Sequence, residues 1–238
     1  MKKIFISIAL IAASLFNING QSKLSENTTL AIACETPIGI DNQNAITIIE
    51  NNIKQALVLN GLSATESRFT TITSAALINK DVTATAPAKY INIMEVSIFI
   101  ADLYTGVIFG QTSFEIKGVG DSDGEAYIDA IHKINARNPK LRKLIKGAKE
   151  SIIEYFESRS EEILGRIDSY MKAKDYKSAA YEAYAIPMVC RDLYNQASER
   201  IAYIPAEVLS GINPNAENIA KHFYSEPRGE RICNVINK

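Results

Sequence analysis

The chain has 238 residues, with 26 basic and 27 acidic side chains, a formal net charge of −1 and 47% hydrophobic residues. That balance excludes an intrinsically disordered chain and supplies no global charge for holding nucleic acid. The length suits one mixed domain with a smaller addition.

The first twenty residues read as a signal peptide. Lys2 and Lys3 precede the apolar run IFISIALIAASLF, Ile4 to Phe16, which is short for a bilayer span. Ile18 and Gly20 occupy the −3 and −1 places of a cleavage site before Gln21. An uncleaved amino-terminal anchor is the alternative. The first cysteine, Cys34, lies too far on for lipid attachment. The expectation is an exported protein, periplasmic or extracellular, with no stable membrane span after cleavage, since no later window approaches a spanning length.

After the leader, TTLAIACET at 28–36 reads as a short buried strand. Pro37 and Gly39 break it, and Asp41 then stands as the N-cap of a helix carrying Ile46, Ile49, Ile53, Ala56 and Leu57 on one face. Gly61 closes that helix. RFTTIT at 68–73 reads as a β-branched strand. The following SAALINKDVTATAPA carries little pattern and reads as a loop. Tyr90–Ala101 and Val107–Lys117, joined by Asp102 to Gly106, predict an antiparallel hairpin. In its second arm Ile108, Gly110, Thr112, Phe114 and Ile116 share one face, while Val107, Phe109, Gln111, Ser113, Glu115 and Lys117 share the other.

The stretch KGVGDSDGEAY, Lys117 to Tyr127, raises a question of ligand binding. A phosphate loop needs a parallel strand and a third glycine that the stretch lacks. A calcium loop finds Asp121 and Asp123 but no later bidentate glutamate. Ser122 followed by Glu125, just ahead of Ala126, Ala130 and Ile131, instead makes a capping box, with both aspartates favourable to the helix dipole. Asp121 and Asp123 remain the only metal candidates, and no cofactor is expected.

Asn138-Pro139 opens a further helix with Leu141, Leu144, Ile145, Ala148, Ile152 and Phe156 on its apolar stripe. Lys133 to Lys149 contains seven Lys or Arg and no acid. It reads as the solvated face of that helix, with a patch for anionic lipid, glycan or nucleic acid as the functional alternative. The chain is helical in pattern from Ile163, and a short helix near Ala216–Tyr224 is the one element visible in a poorly patterned tail. Cys34, Cys190 and Cys233 allow at most one internal bridge in an oxidising compartment. Cys34 sits in an apolar run, so Cys190–Cys233 is the candidate disulfide.

Two resemblances follow from these residues. The order strand, helix, strand, long hairpin, helix, with Asp102, Thr105 and Gly106 at the turn and Gly118, Gly120, Ala126 and Ala130 beyond it, resembles the small α/β domain of curli-secretion-channel lipoproteins, flagellar-envelope accessory lipoproteins and the amino-terminal domain of the Tol translocation protein. MKAKDYKSAAYEAY, with Tyr176, Ala179 and Tyr184, resembles a tetratricopeptide helical hairpin. Both resemblances imply envelope assembly and scaffold components, with another envelope protein as partner.

Enzymatic motifs are thin. The two histidines, His132 and His222, are too far apart for H-E-x-x-H, His132 reads as a surface residue, and neither G-x-S-x-G nor a P-loop occurs. The tyrosines of the helical part read as packing residues. The expected fold is α+β, a small mixed sheet with a long antiparallel hairpin packed by helices and followed by a mostly helical extension. The expected organisation is a signal peptide at 1–20, an α/β domain at 21–137, a helical region with a tetratricopeptide-like hairpin at 138–204 and a weakly patterned tail at 205–238. The functional expectation is a non-catalytic exported envelope protein that serves interaction or assembly. The alternatives are a ligand- or calcium-binding module centred on 118–125 and an enzyme of unassigned class.

Overall fold

A computed structural model describes residues 30–65 and 67–223. The signal peptide expected over 1–20 and Cys233 lie outside the described residues. The fold is α+β, with a four-stranded sheet in the order β1-β2-β3-β4: β1 (Ile32–Cys34), β2 (Phe69–Val82), β3 (Tyr90–Asp102) and β4 (Ile108–Gly120). β1 runs parallel to β2, and the other pairs are antiparallel.

Helix α1 (Gln43–Leu59) joins β1 to β2. Its N-cap is Asn42, one residue beyond the expected Asp41, because the Asn42 side-chain oxygen accepts the Ala45 N–H at 3.1 Å. Its other end is a Schellman turn: Leu62 donates to the Leu57 carbonyl and Gly61 to that of Val58, with Gly61 at φ +68°. Ile49, Ile53, Ala56 and Leu57 are fully buried, as the period predicts.

The largest departure from the sequence reading is β2. It continues through Ser74–Val82, where a loop is expected, because β3 supplies the ladder along its whole length. A bulge at Ile78, between the pairs Leu77–Met94 and Asn79–Ile93, breaks the alternation that would have announced a strand. A second irregularity lies at the other end of the hairpin. Ile100 faces Gly110 and Ala101 faces Ile108, so Phe109 is the extra residue. That reverses the expected faces there: Phe109 turns inward against Phe69 and Tyr155, while Ile108 is 37% exposed.

Helices α2 (Asp123–His132) and α3 (Pro139–Ser158) pack on β3 and β4. All six residues of the expected α3 stripe are buried, which is the gain of a sustained helical period. Then come α4 (Ser160–Lys172), α5 (Tyr176–Tyr184), α6 (Arg191–Ile201) and two short helices, α7 (Ala206–Ser210) and α8 (Ala216–Phe223). The buried apolar residues run without interruption from Leu30 in the sheet layer to Ile204 beyond α6.

Candidate functional site

The two edges of the sheet are treated differently. On β4, the Asp129 carboxylate accepts the Val119 N–H at 2.9 Å, and the Lys140 ammonium donates to the Ser113 carbonyl at 3.2 Å. Side chains thus occupy outward-facing backbone groups, a common protection of edge strands. On β2, the β1 segment covers only the first half. Glu35 donates to the Thr71 carbonyl at 3.1 Å, Ile38 donates to that of Thr73 at 2.8 Å, and the last bridge is Ile38–Ser74. Among the described residues no strand pairs with the outer edge of β2 from Ala75 to Val82.

That open edge carries Asn79, Lys80 and Asp81 together with three exposed apolar side chains. Leu77 is 42% exposed, Ile78 53% and Val82 51%. Beside it lies a depression of about 490 Å³, bounded by the Ile38–Asn42 connector and lined by Leu77, Met94 and Tyr127. Burial raises the Tyr127 phenol, and the Asp41 charge adds to the effect, so its hydroxyl stays a neutral donor and acceptor. The arrangement offers main-chain pairing along one line and a side-chain recess next to it. Those are the two components of recognition by strand addition.

The sequence-flagged acids lie elsewhere. Asp121 pairs with Lys89, and Asp123 pairs with Lys80 at 2.6 Å while accepting from Asn92 Nδ2 at 3.1 Å. The hydrogen bond from Lys80, then that from Asn92, holds the Asp123 carboxyl below the ordinary range. The two carboxylates therefore tie the start of α2 to two separate lysines of the β2–β3 hairpin. Among the described residues no group of three or more His, Cys, Asp or Glu is placed to hold a metal ion.

The capping pattern forms: Ser122 Oγ accepts the Glu125 N–H at 3.2 Å. Glu125 reaches back to the Asp121 N–H at 2.9 Å, one residue before the N-cap. Ser122→Ala is expected to lower unfolding stability by about 1 kcal/mol in urea titration. An unchanged midpoint would mean that the bond contributes nothing.

A cleft of about 550 Å³ lies where the β3–β4 turn meets the helical region. Its organiser is Asp102, which is fully buried. The Asp102 carboxylate accepts from Arg68 Nε at 2.9 Å and Nη2 at 2.6 Å, from the Tyr104 N–H at 2.8 Å and from Thr105 Oγ1 at 2.8 Å. Gly106 completes the turn at φ +68°. Arg68 lies 4.8 Å from the Tyr104 ring and 5.0 Å from that of Phe156, and its Nη1 donates to the Ala185 carbonyl at 3.1 Å. Arg159 and Arg166 line the same cleft, share Glu162, and Arg166 also pairs with Glu182 at 2.6 Å. Three arginines thus meet three carboxylates, and the cluster binds the hairpin turn to the end of α5. Sequence reading identified the turn residues but not Arg68, whose one signal is a charge at the head of a β-branched run.

Cys190 caps α6 from a buried position, where burial first and the Glu157 charge second push its thiol up to about 11. Its candidate partner Cys233 lies outside the described residues. Cys34 ends β1 half-buried, not fully enclosed as expected, and burial raises its thiol too. His132 is exposed, whereas His222 Nε2 lies 2.8 Å from Ser178 Oγ. Among the described residues no helix is long and apolar enough to cross a membrane.

No protein-family model matches the chain, and no curated protein matches it significantly. Solved structures resemble about half of it. A Xanthomonas campestris protein of the DUF330 family covers 51% of this chain and 87% of its own, at 10% identity and a TM-score of 0.35. The PelC dodecamer of Paraburkholderia phytofirmans covers 51% and 86%, at 9% identity and a TM-score of 0.30. A candidate lipoprotein of Caulobacter crescentus covers 51% and 88%, at 11% identity and a TM-score of 0.31.

Proposed function

We propose that the chain is an exported, non-catalytic envelope protein that binds another envelope protein by accepting one of its extended segments as an added strand on β2. The observation that carries this reading is the open edge from Ala75 to Val82, with Leu77, Ile78 and Val82 exposed along it. Natural sheets blunt such edges with charge, proline or cover. Here β4 is blunted by Asp129 and Lys140, whereas on β2 the bulge at Ile78 and the Asp81 carboxylate, which accepts the Val82 N–H at 2.8 Å, still leave Leu77 and Ile78 exposed. Lys80, the one cation on that half of β2, is drawn onto Asp123. The recess lined by Met94 and Tyr127 gives an added strand a place for one side chain.

In this reading the cleft around Asp102 is structural, and α4 with α5 is a tetratricopeptide-like hairpin that braces the sheet domain. Support for the hairpin comes from Ala179, buried at its centre, with Tyr176 and Tyr184 half-buried on either side.

The test places a photo-crosslinking residue at Ile78 and, as a control, at exposed Gln111 on β4. The exported protein is irradiated in cells. The expected result is one discrete adduct from position 78 alone, abolished by Leu77→Lys. No adduct at 78, equal adducts at both positions, or an adduct only with a second copy of this chain would contradict the proposal.

A further inference from the structure

The basic run found in the sequence takes a definite form in the fold. Arg142, Lys143 and Lys146 are exposed along the outer face of α3, with Lys149 half-buried on the same helix. Lys117 on β4, Lys133 after α2 and Lys140 at the start of α3 line one depression at the base of that face. Arg137 lies exposed in the intervening turn. Cations from β4, the α2–α3 connection and α3 therefore cluster here, and Glu115 lines the same depression.

Two observations separate this surface from an ordinary solvated face. The first is its pairing. Lys133 holds Asp129 at 3.0 Å, and Lys146 reaches Glu150 at 4.0 Å. Among the described residues Lys117, Arg137, Arg142, Lys143 and Lys149 have no carboxylate partner. The second is its position on the helix. The positive end of the helix dipole lies at the N-terminus and disfavours cations there. The helices α2, α4 and α6 place acids in the first turn, whereas α1 and α5, like α3, place none. In α3 the first turn has no acid, cations fill the first half, and Glu150, Glu154 and Glu157 come only afterwards. The local rule is broken in the direction that costs stability, as happens where a surface serves another purpose.

We propose that this basic surface docks the protein on an anionic lipid membrane. The cations extend about 14 Å along α3 from Lys140 to Lys149. One small anion reaches only one or two of them, while a plane of headgroups meets the whole set. The attraction is electrostatic and salt-sensitive, and it needs no inserted helix. The surface is separate from the β2 edge, so docking leaves that edge accessible.

The test is co-sedimentation of the full mature chain with vesicles of phosphatidylglycerol and phosphatidylcholine, against phosphatidylcholine alone. Binding is expected only to the anionic vesicles, falling steeply with salt. Replacing Arg142, Lys143, Lys146 and Lys149 together by glutamine is expected to reduce it by more than a hundredfold, at about fivefold for each charge. Lys54→Gln, on α1, is the control and is expected to leave binding unchanged. Circular dichroism confirms folding of the quadruple variant. Absence of binding at low salt, equal binding to both vesicle types, or full binding by the folded quadruple variant would overturn the proposal. Capture by an anionic glycan or nucleic acid without vesicle binding would overturn it as well.

Discussion

Gly118→Ala is expected to lose about 3 kcal/mol of unfolding stability. A Cβ at this position would stand 1.9 Å from the Ala126 carbonyl oxygen, 2.3 Å from the Ala130 nitrogen and 2.8 Å from the Ala130 Cβ. Two of those atoms are helix backbone, which cannot rotate away as a side chain does. The strain is relieved only if α2 lifts off β4, and that would open the buried contacts of Ala126, Ala130 and Ile131. Gly120 is held in the same way, with a Cβ meeting the Ala126 nitrogen at 2.5 Å. The two glycines exist for close passage of helix over strand.

Gly124 is the internal control. A Cβ there meets nothing within 4 Å, and it lies inside α2. Gly124→Ala is therefore expected to be neutral or to gain about 0.5–1 kcal/mol from reduced backbone freedom in the unfolded chain. Urea unfolding of both variants checks the pair. Equal stability of Gly118→Ala and the parent would mean that α2 does not lie against β4.

Asp102→Ala is expected to cost about 3–5 kcal/mol, because it removes a fully buried carboxylate that takes two hydrogen bonds from the Arg68 guanidinium. The Arg68 side chain is only 14% exposed and that of Asp102 is 0%. The loss also strands the Tyr104 N–H and the Thr105 hydroxyl, both of which point at Asp102. A chain of this size drops by about 2–4 °C for each kcal/mol, so thermal unfolding shows the change plainly. Removing both charges with Arg68→Met and Asp102→Leu is expected to recover much of the loss. A single variant within 1 kcal/mol of the parent, on the scale of an ordinary surface pair, would contradict the assigned role.

Much of this architecture is legible in the residues. The α1 and α3 stripes come from a helical period sustained over several turns. The hairpin comes from Asp102–Gly106 between two apolar runs, and the joint at Ser122 comes from cap chemistry. The distal half of β2 is not legible. Ser74–Val82 has weak strand propensity, and a bulge at Ile78 destroys its alternation. Its conformation is set by β3, a neighbour distant in sequence, so tertiary pairing overrides local preference. The proposed binding edge falls in that segment and is hidden in the sequence for the same reason. The only sequence signal is the apolar pair Leu77-Ile78 within an otherwise polar run. Arg68 and Asp102 are separated by 34 positions, and no spacing rule connects them.

Hydrogen exchange of the purified chain tests the open edge most directly. In β3, the amides from Met94 to Ile100 lie between two neighbouring strands and are expected to exchange slowly. From Ala75 to Val82 alternate amides face outward, and these are expected to exchange orders of magnitude faster than those bonded to β3. They are expected to become protected when the crosslinked partner's extended segment is added. Uniform strong protection across 75–82 in the isolated chain would contradict the account, since the edge proposed for binding would already be filled.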